Sequence, residues 1–142
     1  MTVLIDTNVI LDYVLKREPH ANSAFACIDY LMTSKAKIWL TASTITDIYY
    51  VTRRTLKDAP AAKKIIATLL NAFNISAVDK TDCLNALDIP NDDYEDALVS
   101  TCASKIKAAY IITRNLKDFT DSTVPAISPD EYVKKYATKK PD

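Results

Sequence analysis

The stretch Val3-Leu4-Ile5-Asp6-Thr7-Asn8 decides how the rest of the chain is read. Three consecutive apolar residues, two of them β-branched, run straight into a carboxylate, a hydroxyl and a carboxamide. An unbroken apolar run this short suits a strand buried on both faces, as in a parallel sheet. Behind it, Val9, Ile10, Tyr13 and Val14 recur with the period of a helix. Parallel sheets bind their ligands beyond the carboxyl ends of their strands, and Asp6 falls at such an end. Two roles are open to it. It can cap the following helix, or it can be one member of a site to which other acids contribute.

Outward from this stretch the pattern alternates. Lys16 to Pro19 breaks the first helix, and Ala21, Ala24, Phe25, Ile28, Leu31 and Met32 resume a helical period. Lys37-Ile38-Trp39-Leu40 predicts a second strand, Thr41 to Ser43 a polar connection, and Ile45, Ile48, Tyr49, Thr52 and Leu56 a further helix. Asp58 and Pro60 are start signals for a helix bearing Ile65, Ile66, Leu69, Leu70 and Phe73. A short strand is expected over Ile75 to Val78, and a short helix over Asp79 to Leu87, closed by Pro90. Asn91 to Asp96 opens the next helix, with Tyr94, Ala97, Leu98, Thr101, Cys102 and Ile106 as its expected buried face. Ala109-Tyr110-Ile111-Ile112 is a second strongly apolar strand that runs into Thr113-Arg114-Asn115. Val124 to Ile127 predicts a last strand, and Ser128-Pro129-Asp130-Glu131 a capping-box start for a final helix through Tyr136. Residues 1–137 are thus expected to form one α/β domain with a central, mainly parallel sheet, and residues 138–142 a frayed tail.

Composition narrows the possible functions. A chain of 142 residues can bury a sizeable core without staples, and 49% hydrophobic with 25% charged residues is ordinary for a soluble globular protein. A formal net charge of +0 argues against a sequence-independent polycation, but an acidic pocket and a basic rim can cancel in that sum. Cys27, Cys83 and Cys102 have no metal-ligand spacing and form a poor disulfide framework, so they read as small buried hydrophobes in a reducing cytosol. No apolar run approaches a membrane span, and no basic segment precedes the first strand, so the expected location is cytoplasmic. His20, the single histidine, precedes a helix and is expected at the surface. Glycine is absent altogether, which removes the glycine-rich loops that cradle phosphates in dinucleotide-binding and P-loop folds. Side chains and a metal are the remaining device for holding a ligand.

Four acids fall independently at the carboxyl edge of the expected sheet. Asp6 follows the first strand, Asp47 lies early in the helix after Leu40, Asp96 opens the helix before Ala109, and Asp118 lies in the loop leaving Ile112. Each has a plainer reading. Asp92 with Glu95 fits a capping box, as does Thr44 with Asp47; Asp93 favours a helix dipole; Asp118 can be a solvated loop acid. Carboxylates that meet repel one another and either protonate or bind cations. Mg²⁺ and Mn²⁺ accept a few carboxylate oxygens while keeping several waters. Two such ions ~4 Å apart can activate water and stabilise the leaving oxygen of a phosphodiester. Thr7, Asn8, Thr113 and Asn115 are placed to orient the acids and their water.

Taken together, Asp6-Thr7-Asn8, Asp93-Tyr94-Glu95-Asp96-Ala97-Leu98 and Ile112-Thr113-Arg114-Asn115-Leu116-Lys117-Asp118-Phe119 resemble a PIN domain, similar to the VapC-type ribonuclease toxins of bacterial toxin–antitoxin pairs. The resemblance spans nearly the whole chain and keeps the motif order. It implies an α/β/α sandwich with an acidic metal pocket. It puts the first, third and fourth family acids, the metal ligands, at Asp6, Asp96 and Asp118, with supporting polar residues at Thr7, Asn8, Thr113 and Asn115. The second acid, usually glutamate, maps to Asp47, a carboxylate one methylene shorter. The same resemblance implies a Mg²⁺- or Mn²⁺-dependent endoribonuclease, a cognate antitoxin that blocks the pocket, and a homodimer that presents two pockets to one RNA. Arg53, Arg54, Lys57, Arg114 and Lys117 share elements with the acids and are candidates to hold phosphates. Two other classes compete: an inactive PIN-like module that binds RNA or protein, and an aspartyl-phosphate phosphatase. The first has no reason to retain mutually repelling acids. The second wants an acid two residues after its nucleophile, where Asn8 stands.

Overall fold

The structure, a computed structural model, describes residues 1–137. The tail expected over 138–142 lies outside the described residues. In chain order the elements are β1 (Thr2–Ile5), α1 (Thr7–Val14), α2 (Ala21–Thr33), β2 (Lys37–Thr41), α3 (Ala42–Leu56), α4 (Ala59–Ala72) and β3 (Asn74–Ser76). There follow α5 (Lys80–Ala86), α6 (Tyr94–Lys105), β4 (Tyr110–Ile112), a 3-10 turn (Leu116–Phe119), β5 (Ala126–Ile127) and α7 (Pro129–Tyr136). Every strand pairing is parallel, in the order β3-β2-β1-β4-β5, so the sheet is wholly rather than mainly parallel.

The opening stretch forms the central strand. Val3, Leu4 and Ile5 are each fully buried, as a strand covered on both faces requires. Their side chains alternate between two cores. Val3 and Ile5 pack with residues of α1, α2, α3, α4 and α7, whereas Leu4 packs with Val99, Cys102 and Ala103 of α6. Ile112 and Ile111 of β4 divide in the same way. The result is an α/β/α sandwich. From β1 the chain builds outward through β2 to β3, then returns across β1 to place β4 and β5 on its other side. That reversal makes the carboxyl ends of β1 and β4 the topological switch point, where an open parallel sheet has its crevice. Register sets Ile5 opposite Ile112, so Asp6 and Thr113 leave the sheet side by side.

Helix starts are fixed by side chains. Thr41 ends β2 and caps α3 at once, accepting from Thr44 N, so the polar connection expected at Thr41 to Ser43 is no loop. Asp58 caps α4 with Pro60 in the first turn, and Ser128 caps α7. The expected buried face of α6 needs correction. Tyr94 is exposed, its hydroxyl donating to Cys83 O, and the buried residues are Ala97, Val99, Ser100, Cys102 and Ala103. α6 lies between the sheet, α5 and the 3-10 turn, so small residues bury both of its flanks where periodicity alone expects one stripe. β3, β4 and β5 are each shorter than expected. Among the described residues, no helix is long and apolar enough to cross a membrane.

A chain without glycine must end its helices by other means. Lys57, the C-cap of α3, has φ 53°, and Lys16 and Lys107, just beyond the ends of α1 and α6, have φ 53° and 57°. The left-handed region costs a residue with a Cβ about 1–2 kcal/mol, and glycine usually occupies this place. Lys57→Gly should therefore raise unfolding free energy by about 0.5–1 kcal/mol in urea titration, after the greater freedom of glycine in the unfolded chain is offset. Lys57→Val should lower it.

Candidate functional site

Asp6 fills both roles that its sequence position allows. With φ −73° and ψ 153° it is the N-cap of α1, and its Oδ1 accepts from Thr7 N at 2.8 Å. Its backbone N–H donates to Ile112 O at 2.9 Å, which carries the pairing of β1 with β4 one residue past the strand. Oδ2 takes two further donors, the Thr113 hydroxyl at 2.9 Å and the Asn8 carboxamide at 3.3 Å. The Thr113 oxygen itself accepts from Asn115 N at 3.0 Å, so its proton is free to point at Asp6. Burial is the main influence on the Asp6 carboxyl and raises its pKa; the Thr113 and Thr7 hydrogen bonds oppose this, and the charges of Asp118 and Asp93 add to it.

Asp96 approaches from the other side of the crevice, in the first turn of α6. Its pKa is raised to about 7, first by burial and then by Asp93, Asp6 and Asp118. Three of the acids assigned to one edge by sequence therefore interact in space. The cap of α6 is Asp93, whose Oδ1 accepts from Asp96 N at 3.2 Å, so the expected Asp92–Glu95 capping box does not form. Asp93 thereby joins the cluster as well as the helix start. Asp118 sits exposed on the 3-10 turn after β4. Asn91 ties the two halves together: its Nδ2 donates to Asp118 O at 2.8 Å, and its Oδ1 accepts from Asp93 N at 2.9 Å. Sequence reading missed Asn91, because an asparagine before Asp-Asp reads as ordinary helix initiation.

Asp47 has a different neighbour from the one expected. The capping alternative falls away, since Thr41 caps α3. Asp47 meets the Glu95 side chain, whose pKa rises to about 8, first through the hydrogen bond to Asp47, then through burial and the charges of Asp47, Asp93 and Asp6. Asp47 thus reaches the acidic cluster through Glu95, a residue assigned by sequence only to capping.

The supporting residues divide. Asn8 and Thr113 touch Asp6 with their side chains. Thr7 and Asn115 serve through their backbone N–H groups; the Thr7 hydroxyl donates instead to Thr44 Oγ1 at 3.1 Å, joining α1 to α3. Arg53, Arg54, Lys57 and Lys117 are exposed, the first two in the last turn of α3. Arg114 is engaged elsewhere. Its Nε lies 2.6 Å from Asp12 Oδ2 and its Nη2 3.3 Å from Asp12 Oδ1, and Arg17 Nε adds a third contact to Oδ1 at 2.9 Å. Asp12 is only 1% exposed. An acid among the apolar positions of α1 was the one signal for it in the sequence.

The donor set fits a hard divalent cation. It consists of carboxylates backed by hydroxyl and amide groups, which suits Mg²⁺ or Mn²⁺ better than thiophilic metals. Among the described residues, no three His, Cys, Asp or Glu side chains already stand close enough together to hold a metal ion. An ion shared by Asp6, Asp96 and Asp118 therefore needs side chains to turn inward or waters to bridge, and Mg²⁺ keeps several of its waters.

A wholly parallel α/β/α sandwich with acids gathered at its switch point defines a narrow class. The sequence model of the PIN domain matches residues 2–117, and the chain belongs to that family. No curated protein sequence matches it. Solved structures carry the same fold. VapBC2 from Rickettsia felis, bound to a promoter DNA fragment, superposes with a TM-score of 0.71 at 14% identity, over 90% of this chain and 98% of that one. VapBC-1 from nontypeable Haemophilus influenzae gives 0.70 at 17% identity, over 92% and 99%. VapC20 from Mycobacterium tuberculosis, described as a sarcin-ricin loop cleaving toxin, gives 0.61 at 14% identity, over 77% and 86%. At these identities the likeness establishes the fold alone.

The raised carboxyls set the sign of a pH dependence. Asp96 moves from an ordinary 3.8 to about 7, so between those values the folded state binds more protons than the unfolded state. The stability it contributes is complete below the lower value and lost as pH rises through the upper. Glu95, moving from 4.5 to about 8, acts in the same direction. With chelator present, the melting temperature should therefore carry a component that falls between roughly pH 5 and pH 8. Asp96→Asn should remove part of that fall, and Mn²⁺ should reverse it in the wild type. A melting temperature that rose with pH equally in both proteins would contradict this electrostatic picture.

Proposed function

We propose that the chain is a Mg²⁺- or Mn²⁺-dependent endoribonuclease that hydrolyses RNA phosphodiesters, and that it is the toxin of a toxin–antitoxin pair. The observation that carries this reading is the convergence of Asp6, Asp93, Asp96 and Asp118 at one edge of the sheet, brought there by three separate parts of the fold: the end of β1, the start of α6 and the turn after β4. Asp6, Asp96 and Asp118 would hold the metal, Asp6 with an orientation fixed by donors on both oxygens. A bound divalent ion supplies a water of lowered pKa and charge stabilisation for the leaving oxygen. Glu95 and Asp47 extend the acidic cluster, since the Glu95 carboxyl is raised by Asp47 first and also by Asp93 and Asp6. Asp118 lies exposed on its turn, within reach of a ligand from solvent. Exposed Arg53, Arg54, Lys57 and Lys117 supply cations for phosphates. The toxin role is supported by the neighbours of the same fold, two of which are described as VapBC complexes and one as a cleaving toxin. A cognate antitoxin would cover the acidic opening, and a homodimer would offer two openings to one RNA. The protein would work in the cytoplasm.

Asp6→Asn or Asp96→Asn should abolish Mg²⁺-dependent cleavage of mixed cellular RNA while the metal-free fold stays intact or gains stability. Cleavage at the wild-type rate by either variant would refute the acidic mechanism. Tight RNA binding with no turnover by the wild type would instead identify an inactive binding module.

Asp47 is expected to act through Glu95 or a water. Asp47→Ala should then lose less activity than Asp6→Asn and recover partly with added Mn²⁺. Melting temperature and cleavage rate measured on the same samples decide this, and a purely thermal effect would remove Asp47 from the site.

A further inference from the structure

The ion pair between Asp12 and Arg114 is buried on its acidic side and lies outside the acid cluster. Asp12 accepts from both Arg114 and Arg17. A buried carboxylate held by two guanidiniums loses much of its attraction to desolvation, and apolar side chains of similar volume often pack as well. What such a pair provides that packing does not is direction.

That direction leads to Asp6. Asn8 and Asp12 lie four residues apart on α1 and so share one face. Arg114 reaches both: its backbone N–H donates to Asn8 Oδ1 at 3.5 Å, and its guanidinium forks onto Asp12. Arg17 closes the other side, donating from Nη2 to Asn8 O at 3.4 Å. The turn Thr113-Arg114-Asn115 is thus fastened to α1 at two points. With its oxygen turned toward Arg114 N, the Asn8 carboxamide presents its NH₂ to Asp6 Oδ2. With its oxygen accepting from Asn115 N, the Thr113 hydroxyl presents its proton to the same atom. Both donors on Asp6 Oδ2 are aimed by a turn that Asp12 clamps.

We propose that Asp12 is a positioning residue for the acidic crevice, acting through Arg114 to set the two donors on Asp6 Oδ2. Arg114 therefore works as a brace and not as a phosphate holder. The placement of the crevice rests on the nuclease reading, but the brace can be tested without it.

The test uses the full chain as wild type, Asp12→Asn, Arg114→Lys, and the double variant Asp12→Asn/Arg114→Gln, which leaves no lone buried charge. Amide NMR of metal-free protein follows the Asn8 side chain and the Arg114 and Asn115 backbone N–H groups. Calorimetry then measures Mn²⁺ affinity on folded material. All three variants should shift the Asn8 side-chain signals and weaken Mn²⁺ binding by about tenfold or more, the usual effect of losing a partner behind a metal ligand. RNA cleavage should fall in kcat with KM unchanged. Arg114→Lys should be as damaged as the others, because an ammonium cannot fork onto both oxygens. Unchanged Asn8 signals and Mn²⁺ affinity in the folded double variant would overturn the proposal. So would an Arg114→Lys protein that matches the wild type, or variants whose only defect is a raised KM. If the wild type cleaves no RNA, the nuclease reading fails, and the NMR and Mn²⁺ measurements still decide the role of Asp12.

Discussion

The hydrogen bond from the Thr113 hydroxyl to Asp6 Oδ2, 2.9 Å long, joins the ends of the two strands that flank the switch point. It is possible only because β1 and β4 are adjacent and in register, Ile5 opposite Ile112. That adjacency in turn requires the chain to leave β1 on one side through β2 and β3 and return on the other. Parallel pairing obliges helices to make these crossovers, and α6, which brings Asp93 and Asp96, completes the return to β4. The fold therefore delivers acids to one place as a consequence of its connectivity. The cost shows in the raised carboxyls of Asp6 and Asp96, where burial acts first and the neighbouring acids add to it, and of Glu95, where the contact with Asp47 acts first.

The absence of glycine shapes how the fold is closed. Three lysines take left-handed backbone conformations at or just beyond helix ends, and helix starts rely on Asp6, Thr41, Asp58, Asp79, Asp93 and Ser128. Two of these caps, Asp6 and Asp93, also belong to the acidic cluster. A capping aspartate and a site aspartate are often treated as alternatives. Here the geometry makes them compatible, since Asp6 Oδ1 serves the helix while Oδ2 receives the donors from Thr113 and Asn8.

The fold was largely legible in the sequence because its signals are strong and local. The uninterrupted Val3-Leu4-Ile5 run suits a strand covered on both faces, and Asp58 with Pro60 and Ser128 with Pro129 are strong helix starts. The approach of Asp6, Asp96 and Asp118 to one edge was legible because strand and helix order alone places them there. What failed to show were relations between distant residues. Asp92 and Asp93 are equally good caps by composition, and only the path of the chain from Asn91 to Asp118 selects Asp93. The pairing of Asp47 with Glu95 joins residues 48 positions apart, and no local pattern shows it. The Asp12–Arg114 pair spans 102 positions and shows locally only as a charge on an apolar helix.

The central claim is that Asp6, Asp96 and Asp118 form a single divalent-cation site. Anomalous scattering from crystals soaked in Mn²⁺ tests it most directly. The account predicts a manganese peak in the crevice beyond β1 and β4, at direct or water-bridged distance from all three carboxylates. A fully occupied peak elsewhere, with the crevice empty at saturating Mn²⁺, would contradict it.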